Sequence, residues 1–152
     1  MGTETMKLML VDDEERFLSS MVKLLNKKGY KDVITASNGR EALEKLRLNP
    51  IQVVILDVKM PEMDGNITLR EIKRQYPMVE VIMLTGHATV ESAIDGLKSG
   101  ASDYLIKPTD IDELVQKAEA AFARRQDLEE KIRVARMRKV SQSARTILEE
   151  NP

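Results

Sequence analysis

The 152-residue chain has no cysteine and no tryptophan, and aromatic residues make up only 3% of it. The first absence excludes disulfides, thiolate metal sites and thiol nucleophiles. The scarcity of rings leaves the core to aliphatic side chains and methionine. No charge sign dominates either: 24 Lys and Arg against 25 Asp and Glu give a formal net charge of −1. That balance supplies no global electrostatic drive toward nucleic acid or an anionic membrane. No apolar run approaches the roughly 18 residues of a membrane span, and the N-terminus carries no apolar signal segment, so the expected location is the cytoplasm. There is one histidine, His87, and no G-x-S-x-G elbow, which argues against a nucleophilic Ser–His–Asp triad.

What is present is an alternation. Short β-branched or leucine-rich runs, KLMLVDD, DVITAS, IQVVILD, VEVIMLT and DYLIK, are separated by amphipathic stretches. This is the pattern of repeated βα units around a parallel sheet. Phe17, Leu18, Met21, Leu24 and Leu25 recur at helical spacing until Gly29 stops them. Asn38 is placed to cap a helix ending before Pro50, and MPEMDG turns into a helix from about Asn66 to Gln75. A fourth helix spans roughly Thr89 to Lys98. A fifth begins near Thr109 or Asp110, with Asp110 and Glu113 at capping-box spacing.

Four of the apolar runs end in residues able to touch a metal or a phosphoryl group: Asp12 and Asp13, Asp57, Thr85 and Lys107. In an open parallel sheet the carboxyl ends of the strands line the ligand crevice, so these residues converge there. Three carboxylates against one ammonium leave two negative charges in excess. Like charges about 4 Å apart repel by roughly 4 kcal/mol at an effective dielectric near 20, so a divalent cation is expected. Oxygen-only ligands in an incomplete cage favour magnesium, which keeps several waters and leaves room for phosphate oxygens.

Taken in order, VDDE, VVILDVKMPEMDG, VIMLTG and GASDYLIKP closely resemble the receiver domain of bacterial response regulators. The wording is most similar to receivers from the nitrogen-regulator class of enhancer-binding activators. The resemblance implies a five-stranded parallel sheet in flavodoxin-like order 2-1-3-4-5, an order for which a receiver protein is a stock example. It makes Asp57 the phosphoacceptor for a sensor histidine kinase, and Asp13, Asp57 and the main-chain carbonyl of Lys59 the Mg2+ ligands, with Asp12 holding a metal-bound water. Lys107 pairs with the phosphoryl oxygens, ahead of a cis bond to Pro108. Thr85 and Tyr104 form the switch, and Lys59 and His87 border the water path that removes the phosphoryl group. Such a protein is a signalling phosphoacceptor that promotes its own phosphorylation and dephosphorylation, not an enzyme acting on other substrates. Departures are mild: Gln52, Gly86 and Gly96 stand where Asp, Ala and Ala are more usual.

Three other readings compete. A magnesium phosphohydrolase also forms an aspartyl phosphate, but places D-x-D after its first strand, where this chain has adjacent Asp12 and Asp13. A flavodoxin needs a hydroxyl- and glycine-rich phosphate loop where VDDEE stands. A nucleic-acid binder would rest on Arg133, Arg136, Arg138 and Lys139, a cluster read here as a solvated helix face; direct nucleic-acid contact is not expected. The receiver is expected over residues 6–123 and a helical extension or linker over 124–152. The stripe Leu114, Ala118, Ala121, Leu128, Ile132 and Ala135, interrupted by Arg125, predicts a helix running through about Arg136. With helix four, strand five and helix five, it is the expected surface of a homodimer.

Overall fold

Runs that are apolar at every position, rather than at alternate ones, belong in strands covered on both faces. The computed structural model describes residues 5–60, 63–86 and 90–150, and there the five runs form β1 (Leu8–Val11), β2 (Val33–Ala36), β3 (Val53–Asp57), β4 (Glu80–Thr85) and β5 (Asp103–Ile106). All pairings are parallel and the strand order is β2-β1-β3-β4-β5, as expected. Among the described residues five helices connect and cover them: α1 (Glu15–Lys27), α2 (Gly39–Leu48), α3 (Gly65–Gln75), α4 (Val90–Lys98) and α5 (Ile111–Glu150).

The period of two along each strand sorts the side chains into two cores. Leu8, Leu10, Val53, Ile55, Ile82 and Leu84 meet Leu18, Met21 and Leu25 of α1 and Leu114, Ala118 and Phe122 of α5. Met9, Val11, Val54, Leu56, Val81 and Met83 meet Ala42 and Leu46 of α2 and Leu69 and Ile72 of α3. Burial of each large side chain contributes about 1.5–3 kcal/mol. These cores fix the strand register, and register fixes what stands at the strand ends.

Helix starts follow local side-chain chemistry. Asn38 accepts from the Glu41 amide at 2.8 Å and Asp64 from the Ile67 amide at 2.9 Å. At α5, Asp110 accepts from the Asp112 amide at 3.2 Å, one position earlier than the expected capping box with Glu113. Both second- and third-position amides lie within reach of a capping carboxylate. Gly29 ends α1 at φ +101°, a conformation that a Cβ disfavours.

α5 is longer than its apolar stripe predicts. Phe122 is the last buried residue among its described side chains, yet the helix continues to Glu150. The continuation is held by the intrahelical pairs Arg125–Glu129 at 2.8 Å, Lys131–Asp127 at 2.9 Å and Arg133–Glu130 at 2.5 Å. Leu128, Met137, Val140, Ile147 and Leu148 lie exposed along it. Among the described residues, no helix is long and apolar enough to cross a membrane.

Candidate functional site

Strand register assembles the site. Val11 pairs with Leu56, so Asp12, one residue beyond β1, stands beside Asp57, the last residue of β3. On the other side Asp57 pairs with Leu84, and the Val58 amide donates to the Leu84 carbonyl at 3.1 Å. The Lys107 amide donates to the Thr85 carbonyl at 2.7 Å, which brings the lysine to the same end of the sheet. One oxygen each from Asp12, Asp13 and Asp57 lies within 4.8 Å of the others. Asp12 and Asp57 are buried at 1% and 5% exposure, whereas Asp13 is exposed.

The Lys107 ammonium lies 2.6 Å from Asp12 Oδ2, 3.4 Å from Glu14 Oε1 and 3.9 Å from Asp57 Oδ2. It also sits 4.4 Å from the centroid of the Phe17 ring. Burial works against its charge, but the hydrogen bond to Asp12 and the charges of Asp12, Asp57 and Glu14 together hold its pKa above the ordinary lysine value. Asp57 is pushed up to about 6, by burial first and by the Asp12 charge second, with Lys107 offsetting only part. One half-buried cation therefore leaves the carboxylates undercompensated. The oxygen donor set and its surplus negative charge fit a small divalent cation such as Mg2+, with Asp12, Asp13 and Asp57 as the side chains placed to hold it.

The other expected residues are distributed around this cluster. The Lys59 amide reaches Asp57 Oδ1 at 3.4 Å. Thr85 is buried at the end of β4. Tyr104 is half-buried on β5, opposite Met83, on the sheet face covered by α2 and α3. A methyl added to Gly96 would lie 3.7 Å from its ring, so Tyr104 and α4 are neighbours. The Lys107–Pro108 bond is cis, as expected. His87 lies outside the described residues. Gln52 is buried well away from the cluster, accepting from the Lys7 amide and donating to the Pro50 carbonyl.

Sequence reasoning missed three participants. Glu14 is a fourth acid at the site, legible only as a further member of the VDDEE run. Phe17 was read simply as a core position of α1. Gly65 was read simply as part of a turn, yet its amide bonds the Val58 carbonyl at 2.8 Å, directly behind Asp57.

A family model for the response regulator receiver domain matches residues 8–119. The chain belongs to that family. The transcriptional regulatory protein ZraR of Escherichia coli K12 is 42% identical over 123 residues, covering 81% of this chain and 28% of that protein. The DNA-binding transcriptional regulator NtrC of the same strain is 42% identical over 93 residues, covering 61% of this chain and 20% of that protein. The solution structure of the beryllofluoride-activated NtrC4 receiver domain dimer superposes with a TM-score of 0.73 at 35% identity, covering 78% of this chain and 98% of that one. This receiver therefore resembles the nitrogen-regulator class, and it spans roughly a quarter of the length of the full-length relatives it matches. Nothing favours the phosphohydrolase reading over it.

Proposed function

We propose that this receiver takes a phosphoryl group on Asp57 from the phosphohistidine of a sensor kinase. The observation that supports it is the Asp12, Asp13 and Asp57 carboxylate cluster with the Lys107 ammonium at one end of the sheet. In the transfer an Asp57 carboxylate oxygen attacks phosphorus in line. The P–O bond forms as the donor's P–N bond breaks, and the histidine leaves with the electron pair. Lys107, whose ammonium stands 3.9 Å from Asp57, neutralises the incoming phosphoryl oxygens. Asp13, Asp57 and the Lys59 carbonyl would hold Mg2+, with Asp12 on a metal-bound water, and the ion would neutralise charge on the same oxygens.

The response follows from side chains on neighbouring strands. The Thr85 hydroxyl bonds the phosphoryl group, and Tyr104 repacks against α4, shifting a two-state equilibrium. Lys59 and His87 tune how long the phosphoryl group lasts. Ile94, Leu97 and Ile106 are exposed apolar residues on α4 and β5. With α5 and its extension they form the surface on which two copies associate. Residues 6–123 act as the receiver and 124–152 as the extension that carries the signal outward.

The test is to incubate the protein with a small phosphodonor and Mg2+ and to weigh it. Wild type is expected to gain one phosphoryl mass and an Asp57→Asn variant none. Equal gain by both sinks the assignment.

A further inference from the structure

We propose that Phe17 is a positioning residue for Lys107: its ring, together with Glu14, holds the ammonium at a fixed reach from Asp57. The inference rests on the reading of Asp57 as phosphoacceptor. Lys107 and Phe17 come from the end of β5 and the first turn of α1, so their contact is wholly tertiary. The ammonium is bonded to Asp12 at 2.6 Å, but at 3.9 Å it is too far from Asp57 for a hydrogen bond. That spacing leaves the Asp57 oxygen free to attack, while an oxygen of the arriving phosphoryl group can enter bonding range without the lysine moving.

Two features hold this arrangement. The ring face lies 4.4 Å from the ammonium and attracts it, most strongly where water is scarce. Glu14, mostly exposed, draws the same ammonium outward at 3.4 Å. Phe17 stands three residues after Glu14, and both reach the Lys107 ammonium. Without the ring, the inward pull on the ammonium falls to the Asp12 and Asp57 carboxylates, and Lys107 shifts toward Glu14 and solvent. A lysine on a four-carbon stem has the freedom to do so. The competing account is that Phe17 merely fills space beside the α1 and α5 core, against which it is packed.

Phe17→Leu separates the two accounts, because it keeps the apolar volume and removes the ring. With acetyl phosphate as donor and Mg2+ present, the P–O bond to Asp57 forms as the bond to acetate breaks, and acetate leaves. The saturating rate constant for Phe17→Leu is expected to fall about three- to tenfold, the size of one cation–ring contact, with the half-saturating donor concentration unchanged. Phe17→Tyr, which keeps the ring, is expected to retain the wild-type rate. Independently of activity, the Lys107 ε-methylene resonance, assigned by its loss in Lys107→Arg, should be ring-shifted upfield in wild type and Phe17→Tyr and unshifted in Phe17→Leu. Phe17→Met replaces the leucine variant if the latter does not fold. A wild-type rate in Phe17→Leu, or an unshifted Lys107 resonance in wild type, overturns the proposal. A wild type that never gains phosphoryl mass overturns the phosphoacceptor reading itself.

Discussion

Gly65 offers a sharp test of how the fold supports the site. It opens α3, and a Cβ added there would stand 2.3 Å from the Asp57 carbonyl oxygen, 2.6 Å from Val58 Cα and 2.9 Å from the Val58 carbonyl oxygen. Its φ lies outside the left-handed region, so the cost of Gly65→Ala is steric rather than conformational. Ordinary contact begins at 3.4 Å, and all three neighbours are backbone, which cannot rotate out of the way. Relief requires the Asp57–Val58 segment or the start of α3 to move by about 1 Å. Overpacking of this kind costs about 1–3 kcal/mol. At about 2–4 °C per kcal/mol for a domain of this size, the melting temperature should fall by roughly 2–12 °C. The phosphoacceptor should suffer more than the fold, because a shift of about 1 Å in a reacting group can lower a rate on the order of 100-fold. Thermal unfolding and a mass-spectrometric time course of phosphorylation measure both effects. A Gly65→Ala variant that melts with wild type and is phosphorylated at the wild-type rate would refute the reasoning.

Gly96→Ala is the opposite case: among the described residues the new methyl meets only Met83 and Tyr104 side-chain atoms at 3.5 and 3.7 Å, and α4 gains about 1 kcal/mol of helix propensity, so unfolding should shift up by roughly 2–4 °C. Glu41 accepts from the Ser37 amide and hydroxyl and pairs with Lys45 at 2.9 Å, which lowers its pKa from 4.5 to about 2. A carboxylate depressed on folding stabilises above its unfolded pKa, and that contribution is lost as pH falls from about 4.5 through about 2. Because its side chain is 37% exposed, solvent screening reduces the effect to about 1 kcal/mol; Glu41→Gln should flatten the acid limb of a denaturation series by that amount. For the α5 extension, a Leu128→Asp/Ile132→Asp variant should sediment as a lighter species than wild type in the presence of beryllofluoride. Identical monomeric sedimentation of both, with and without the mimic, would make the extension a plain linker.

The fold was legible because parallel strands buried on both faces must be apolar at every position, and the helices between them must carry one apolar face. Strand order 2-1-3-4-5 came from the family resemblance of the ordered motifs, since no single run states which neighbour it pairs with. Asp12, Asp13, Asp57, Thr85 and Lys107 were legible because polar residues closing apolar runs are conspicuous, and a parallel sheet gathers those run ends on one edge. The length of α5 was not: the sequence reading followed the apolar stripe, and past Phe122 the helix rests on intrahelical ion pairs instead. Only the tertiary structure decided where Lys107 rests, on Asp12 with Glu14 and Phe17 beside it rather than against Asp57. Those contacts join residues about ninety positions apart through side chains free to choose among several partners. Gly65 depended on the fold for the same reason. A glycine in a turn signals flexibility from sequence alone, and only the approach of α3 to the backbone behind Asp57 makes the missing methyl a requirement.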